Sequence, residues 1–316
     1  MKPSILLFPL LVLLIPTVAL AGGEAVAVPA SDAVSWWVWP LVLFGVTFLM
    51  GIVAVLGGVG GGVLFVPIIS GFFPFHLDFV RGCGLLVALS GALAAGPGLL
   101  KTNLASLRLA IPMALIASSC AIVGAILGLA LPTDVIQTAL GATILGIVVL
   151  MLIAKKSAMP EVERSDNLAV SLRIFGVYTE ESTGEEVNWK VHRTPIGMLL
   201  FIGVGVMAGM FGLGAGWANV PVLNLLMGAP LKISVATSKF LLSITDTSAA
   251  WVYMNQGCVI PLMVVPSLIG IMLGSFIGVR ILRVAKPDFV RWIVIAMLLF
   301  SGAKAITKGL DLPFFF

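Results

Sequence analysis

The chain has 316 residues, of which 60% are hydrophobic and 10% charged, too little polar surface to clothe a water-soluble globule, so it is read as an integral membrane protein. A net charge of +4, carried in short connecting loops, offers no basic face for nucleic acid. Cys83, Cys120 and Cys258 are scattered without a Cys-x-x-Cys pair and the histidines are His76 and His192 alone, so neither a metal centre nor a cofactor is expected.

Lys2 precedes an apolar run over 5–20 and then Ala19-Leu20-Ala21, a small-residue cleavage pattern before Gly22. This predicts a signal peptide over 1–21, with a retained first helix as the alternative, and a short extracytoplasmic segment over 22–35. Apolar segments follow at 36–56, 59–73, 82–100, 109–131 and 135–154, and after a polar interval at 195–211, 213–227, 233–254, 258–281 and 289–307. Most are about 20 residues long and lack two-residue alternation, which predicts membrane helices rather than barrel strands. The chain divides accordingly into a first transmembrane repeat (36–154), a cytoplasmic connector (155–194), a second repeat (195–308) and a tail (309–316).

The second segment of each half is short, and each begins at a glycine-rich break. Gly58, Gly60, Gly61 and Gly62 precede Val66 and Pro67; at an offset of 154 positions, Gly212, Gly214 and Gly216 precede Val220 and Pro221. Glycine costs about 1 kcal/mol relative to alanine inside a helix and proline about 3, so neither stretch favours an unbroken helix. In hydrocarbon, unwound backbone is tolerated only where protein or a water-filled cavity covers it, and paired broken helices in two repeats point to a transporter's substrate site. Close helix packing is the plainer reading of any one of these glycines.

Charge distribution sets the orientation. Lys155, Lys156, Arg164, Arg173, Lys190 and Arg193 mark the connector as cytoplasmic, and Arg280, Arg283, Lys286 and Arg291 mark the last loop likewise. An even number of crossings must separate them, which requires 213–227 to count as a crossing rather than a re-entrant loop. The first half then has five segments starting outside, and an odd unit repeated is inverted relative to its copy. Lys304 and Lys308 fit poorly, since they fall near the outer face, and four spans per half without inversion is the alternative. Further matches at the same offset are Leu77 with Leu231, Pro112 with Pro266, and Asp134 with Asp288. Gly124 and Gly128 correspond in character to Gly274 and Gly278, and are read as helix contacts. Within the connector, 172–178 and 187–192 are predicted to form a hairpin around Ser182, Thr183 and Gly184.

Polar residues at membrane depth are concentrated in 233–254, where Ser234, Thr237, Ser238, Lys239, Ser243, Thr245, Asp246, Thr247 and Ser248 occur together. Intramembrane Lys and Asp cost several kcal/mol unless they meet a partner, a cavity or a substrate. Lys239 and Asp246 lie two helical turns apart on one face, too far for both to hold one small anion. One division of labour gives Lys239 to an anionic substrate and Asp246 to a coupling proton or sodium ion. The plainer reading lets Lys239 snorkel to the interface near Lys232 and Asp246 bond a neighbouring helix. Backbone N–H groups where the two half-helices begin make ready anion sites, and Asn219 and Asn224 lie on the second of them.

The duplicated Gly-rich break with Val-Pro, the Ala236-Thr237-Ser238 run and the Gly-rich closing helices resemble the sulfite exporter TauE/SafE family of membrane permeases, from about Trp36 to Lys308. The resemblance implies a multi-pass permease of the bacterial inner membrane moving small sulfur-containing anions such as sulfite, thiosulfate or organosulfonates, driven by an ion gradient. Gly82-Cys83-Gly84 stands in the first half where Ala236-Thr237-Ser238 stands in the second, so hydroxyl coordination is not symmetric. The alternatives are an anion channel or a permease for another small anion. A His-based intramembrane enzyme is poorly supported, because His76 lies in a loop and His192 in the connector, and no Gly-x-x-x-x-Gly-Lys-Ser/Thr loop is present to drive a pump.

Overall fold

In a computed structural model of the protein, the described residues are 37–57, 60–101, 105–153, 162, 164–179, 186–282 and 287–310. The signal-peptide expectation, the segment before Trp37, Gly58 and the tail beyond Leu310 lie outside them.

Among the described residues, each half contributes five helices in matching order. The first half holds α1 (Val38–Gly57), α2 (Gly61–Phe72), α3 (Leu77–Lys101), α4 (Leu107–Ala130) and α5 (Thr133–Ile153). The connector holds a short helix α6 (Asn167–Ser171) and two antiparallel strands, β1 (Phe175–Thr179) and β2 (Glu186–Lys190). These strands pair as expected, shifted by a few residues from 172–178 and 187–192, with Phe175 opposite Lys190 and Thr179 opposite Glu186; the expected turn at Ser182, Thr183 and Gly184 lies outside the described residues. The second half holds α7 (Thr194–Phe211), α8 (Gly216–Pro221, continued by a π-helical stretch over Val222–Leu226), α9 (Leu231–Asn255), α10 (Pro261–Leu282) and α11 (Pro287–Gly309). The residues matched at the 154-position offset keep equivalent places: Leu77 and Leu231 open α3 and α9, Pro112 and Pro266 lie inside α4 and α10, and Asp134 and Asp288 lie in the first turns of α5 and α11.

Leu77–Ala94, Leu107–Ala130, Thr194–Phe211 and Pro261–Gly278 are each long and apolar enough to cross a membrane, with shorter apolar helices beside them. This is a multi-pass membrane protein. Along much of α4, residue size rather than polarity separates the buried face from the exposed one. On α4 the large side chains Ile111, Leu115, Ile122 and Ile126 are exposed, while Ala110, Ala114, Ala117, Ala121 and Gly124 are buried. A lipid-facing surface needs no polar face, and small residues let backbones approach, so close packing supplies the attraction that water would otherwise drive.

Contacts between the halves are reciprocal. The first helix of each half packs on the fourth of the other, α1 on α10 and α7 on α4, while α3 meets α9 and α5 meets α11. Gly205 and Gly209 lie against Ala117 and Ala121, so α7 and α4 run the same way; Gly270 and Gly274 lie against Phe44 and Phe48, so do α10 and α1. Gly124, Gly128 and Gly274 are thus contact glycines, as their spacing predicts. In α5 and α11 the order reverses, because Gly302 lies beside Ile144 and Leu145 whereas Gly309 lies beside Thr138 and Asp134. The start of α3 likewise meets the end of α9, where Gly82 lies against Tyr253 and Cys258. The third and the fifth helices of one half therefore run antiparallel to their counterparts in the other.

At about 1.5 Å per residue, the 12 residues of α2 extend roughly 18 Å, against about 30 Å of hydrocarbon. Helix α8 is equally short, and its end is tied to the connector: the His192 N–H donates to Met227 O at 2.9 Å, and Gly228 lies against the His192 ring. Since α7 starts at Thr194, α8 returns to the end of the bundle that α7 leaves. Pro221 cannot donate within α8, and the helix widens just after it, with Met227 N–H reaching back to Val222 O. The end of α2 is closed differently. Lys308 Nζ donates to Ser70 O at 3.0 Å and Lys304 Nζ lies 4.0 Å from the centre of the Phe72 ring, so the two lysines that sit awkwardly with the charge rule stabilise the carbonyl end of a short helix.

Candidate functional site

The two glycine breaks meet. A Cβ built on Gly216 would stand 3.6 Å from Gly60 Cα and 3.0 Å from Leu242 Cδ1, and one on Gly62 would stand 2.6 Å from Leu213 O. Gly61 packs on Ile271 and Val87. Gly212 and Gly214 adopt φ of +69° and +70°, the left-handed region that side chains disfavour, and this turns the chain from α7 into α8. Two short helices therefore begin at one place inside the bundle, where their first N–H groups have no intrahelical acceptor.

Helix α9 supplies the other wall. A Cβ on Gly214 would lie 2.7 Å from Asp246 Oδ2, while Gly216 faces Leu242 one turn earlier, so α8 and α9 run antiparallel from the break. Continued along both helices, that register sets Asn219 at the level of Ser238 and Lys239. The crossing thus falls between the two charged residues: Asp246 lies beside it, and Lys239 about 10 Å along the helix from Asp246. Asp246 is fully buried, Lys239 half-buried, and each lies within electrostatic reach of the other.

Several polar atoms here are buried without a hydrogen-bond partner: both oxygens of Asp246, both amide atoms of Asn219, Thr245 Oγ1 and Trp217 Nε1. The Ala215 N–H faces the Asp246 carboxylate from the break without completing a hydrogen bond. An ionised or protonated carboxyl left in this state costs several kcal/mol, and so does an open amide, unless a ligand, ion or water completes them. The place offers donors from the two helix starts, Asn219 and Trp217, and acceptors from Asp246 and Thr245. Among the described residues no group of three His, Cys, Asp or Glu side chains is assembled that would hold a metal ion.

Other residues of the predicted set are engaged in structure. Thr237 Oγ1 accepts the Ser106 N–H at 3.1 Å, and Ser106 caps α4 by accepting from Leu109 N–H, so Thr237 joins α9 to the start of α4. Ser238 is buried beside it. Asn224 donates to Ala229 O at 2.8 Å and belongs to the turn after α8. Cys83 is buried against α10, with Sγ 4.0 Å from Met263 O. The asymmetry is plain at the 154-position offset, where Cys83, Gly84, Leu85 and Ala92 stand in place of Thr237, Ser238, Lys239 and Asp246.

Arg81 has a part the sequence does not disclose. It is 2% exposed, pairs with Asp78, donates to Gly128 O at 3.0 Å and Met210 O at 2.9 Å, and lies over the Tyr253 ring. Tyr253 in turn donates to Gly209 O at 3.0 Å. The last carbonyls of α4 and α7 thus converge on one cation, and the Arg81 backbone packs on Gly212, which anchors the second break from behind. Trp217 was also hidden, although a lone indole between the last break glycine and Asn219 is a signal in the sequence.

Comparison with known proteins gives a consistent result. The family described as "Sulfite exporter TauE/SafE" matches residues 43–305. The chain is similar to a protein of Bacillus subtilis (strain 168) named "Probable membrane transporter protein YunE", 27% identical over 131 residues, which covers 42% of this chain and 48% of that relative. The chain thus spans about half the length of the curated relative it matches. No solved structure matches it significantly.

Proposed function

This chain belongs to the sulfite exporter TauE/SafE family, a membrane transporter family, and from that premise we propose that it is a gradient-driven secondary transporter of small sulfur-containing anions in the bacterial inner membrane. The observation that carries the proposal is the contact between the Gly60 and Gly216 backbones, directly beside a buried carboxylate without a partner. Its architecture is a pair of inverted five-segment repeats, supported by the antiparallel course of equivalent helices and by the return of α8 to the connector. The anion, sulfite, thiosulfate or an organosulfonate, rests on the N–H groups that open α2 and α8, at Gly60, Gly61, Gly62, Gly214 and Gly216, with Asn219 as a further donor. Ser238 and Thr237 border its path, and Lys239 provides positive charge on the connector side. Asp246 binds the coupling proton or sodium ion, so that loading of its carboxylate accompanies movement of the anion.

The test is uptake and efflux of labelled sulfite, thiosulfate and an alkylsulfonate in proteoliposomes under imposed proton and sodium gradients. Saturable flux that follows one gradient is expected. Lys239→Met should raise the half-saturating anion concentration, and Asp246→Asn should leave anion exchange while abolishing the response to the gradient. Flux without saturation would identify a channel, and unchanged kinetics in both variants would remove α9 from the mechanism.

A further inference from the structure

On the connector, away from the crossing, Arg164, Val170, Phe175, Val177, Asn188 and Lys190 line a cavity of about 680 Å³. Its lining includes Val170, Phe175 and Val177, whose side chains are largely exposed. The lining also includes Arg164 and Lys190, neither paired with a carboxylate among the described residues. A volume of this size suits a small organic ligand, and two cations in a lining that also holds exposed apolar side chains complement a negative headgroup on an apolar body.

The two cationic walls are each joined to the transport half within a few residues. Beside Arg164, Asp166 Oδ1 accepts from the Thr194 hydroxyl at 2.8 Å, at the first residue of α7. Beyond Lys190, the His192 N–H holds Met227 O, at the end of α8. A ligand bridging Arg164 and Lys190 therefore draws together the segments that hold the outer ends of the two helices flanking the second break.

We propose that this cavity is a cytoplasmic binding site for an amphiphilic organic anion, a sulfonate or carboxylate with a short apolar chain, whose binding restrains the connector and the end of α8. The site is separate from the crossing, so its occupancy does not require Asp246.

Hexanesulfonate is the probe, with inorganic sulfate as headgroup alone and hexanol as apolar chain alone, each titrated calorimetrically into the full chain in nanodiscs. Hydrogen exchange is followed at residues 164–179, 186–192 and 222–228. Saturable binding of hexanesulfonate alone is expected, with slower exchange in all three segments. Binding should weaken roughly tenfold to a hundredfold in Arg164→Gln/Lys190→Gln, as loss of charge-assisted hydrogen bonds implies, and should persist in Asp246→Asn. Val177→Asn, which makes part of the apolar lining polar and keeps both cations without adding a charge, is a second route to the same loss. Binding that survives both connector variants, or disappears in Asp246→Asn, or is reproduced by inorganic sulfate, overturns the proposal. So does binding without any change of exchange at 222–228.

Discussion

A buried guanidinium is tolerated only when its donors are occupied, and Arg81 occupies them with groups that themselves need a cation. Gly128 O and Met210 O come from the last turns of α4 and α7, where carbonyls lack intrahelical donors and the helix dipole is negative. Arg81→Met should therefore lower stability by roughly 3 kcal/mol, since it strands those carbonyls and the Asp78 carboxylate together. Thermal unfolding in detergent measures this, and Arg81→Lys should recover part of it. An unchanged melting temperature would mean that Arg81 is incidental to the fold. Little of this was legible beforehand. The bonded carbonyls lie 47 and 129 residues away in sequence, and a carbonyl carries no residue signature. Asp246 was legible because an acid in an apolar helix is conspicuous in itself, whereas Asn224, equally conspicuous, proves to be local turn chemistry.

At the level of the helix, the apolar segments match the helices closely, because length and apolarity suffice to place them. Composition did not predict which helices touch, since the faces differ in residue size and scarcely in hydropathy. Helix α7 makes the point testable within one segment. Gly203 has open space where a side chain would go, whereas a Cβ at Gly205 would collide with Ala117 O, inside the contact with α4. Gly203→Ala should leave stability equal or slightly raised, because alanine is the better helix former by about 1 kcal/mol. Gly205→Ala should lower it by roughly 1 to 3 kcal/mol through overpacking. Melting temperatures of the two variants, measured side by side, decide the matter, and equal effects would show that α7 does not pack as described. Gly214→Ala tests the break itself. Its φ of +70° and its contact with Asp246 leave no room for a methyl group, so transport should be lost even where the protein still folds. A full-rate Gly214→Ala variant would detach the break from function.

For the molecule as a whole, the informative relation is the direction of equivalent helices. A twofold axis parallel to the helices would leave α5 and α11 running the same way, but they run oppositely, as do α3 and α9. A twofold relating the two halves would accordingly lie across the helices, which is the placement the proposed inversion requires. Counting crossings between basic loops leads to the proposed inversion only if α8 returns to the connector, and the bond from His192 to Met227 supports that return. Inversion sets a labelling pattern. In a cysteine-free background, Ser171→Cys on the connector and Gln256→Cys after α9 should face opposite compartments, and Thr307→Cys near the end of α11 should share the side of Gln256. A membrane-impermeant maleimide applied to intact cells should therefore label positions 256 and 307 and reach position 171 only after lysis. Labelling of 171 and 307 from the same side would leave an even number of crossings between them, and two oppositely oriented five-segment halves would no longer describe this protein.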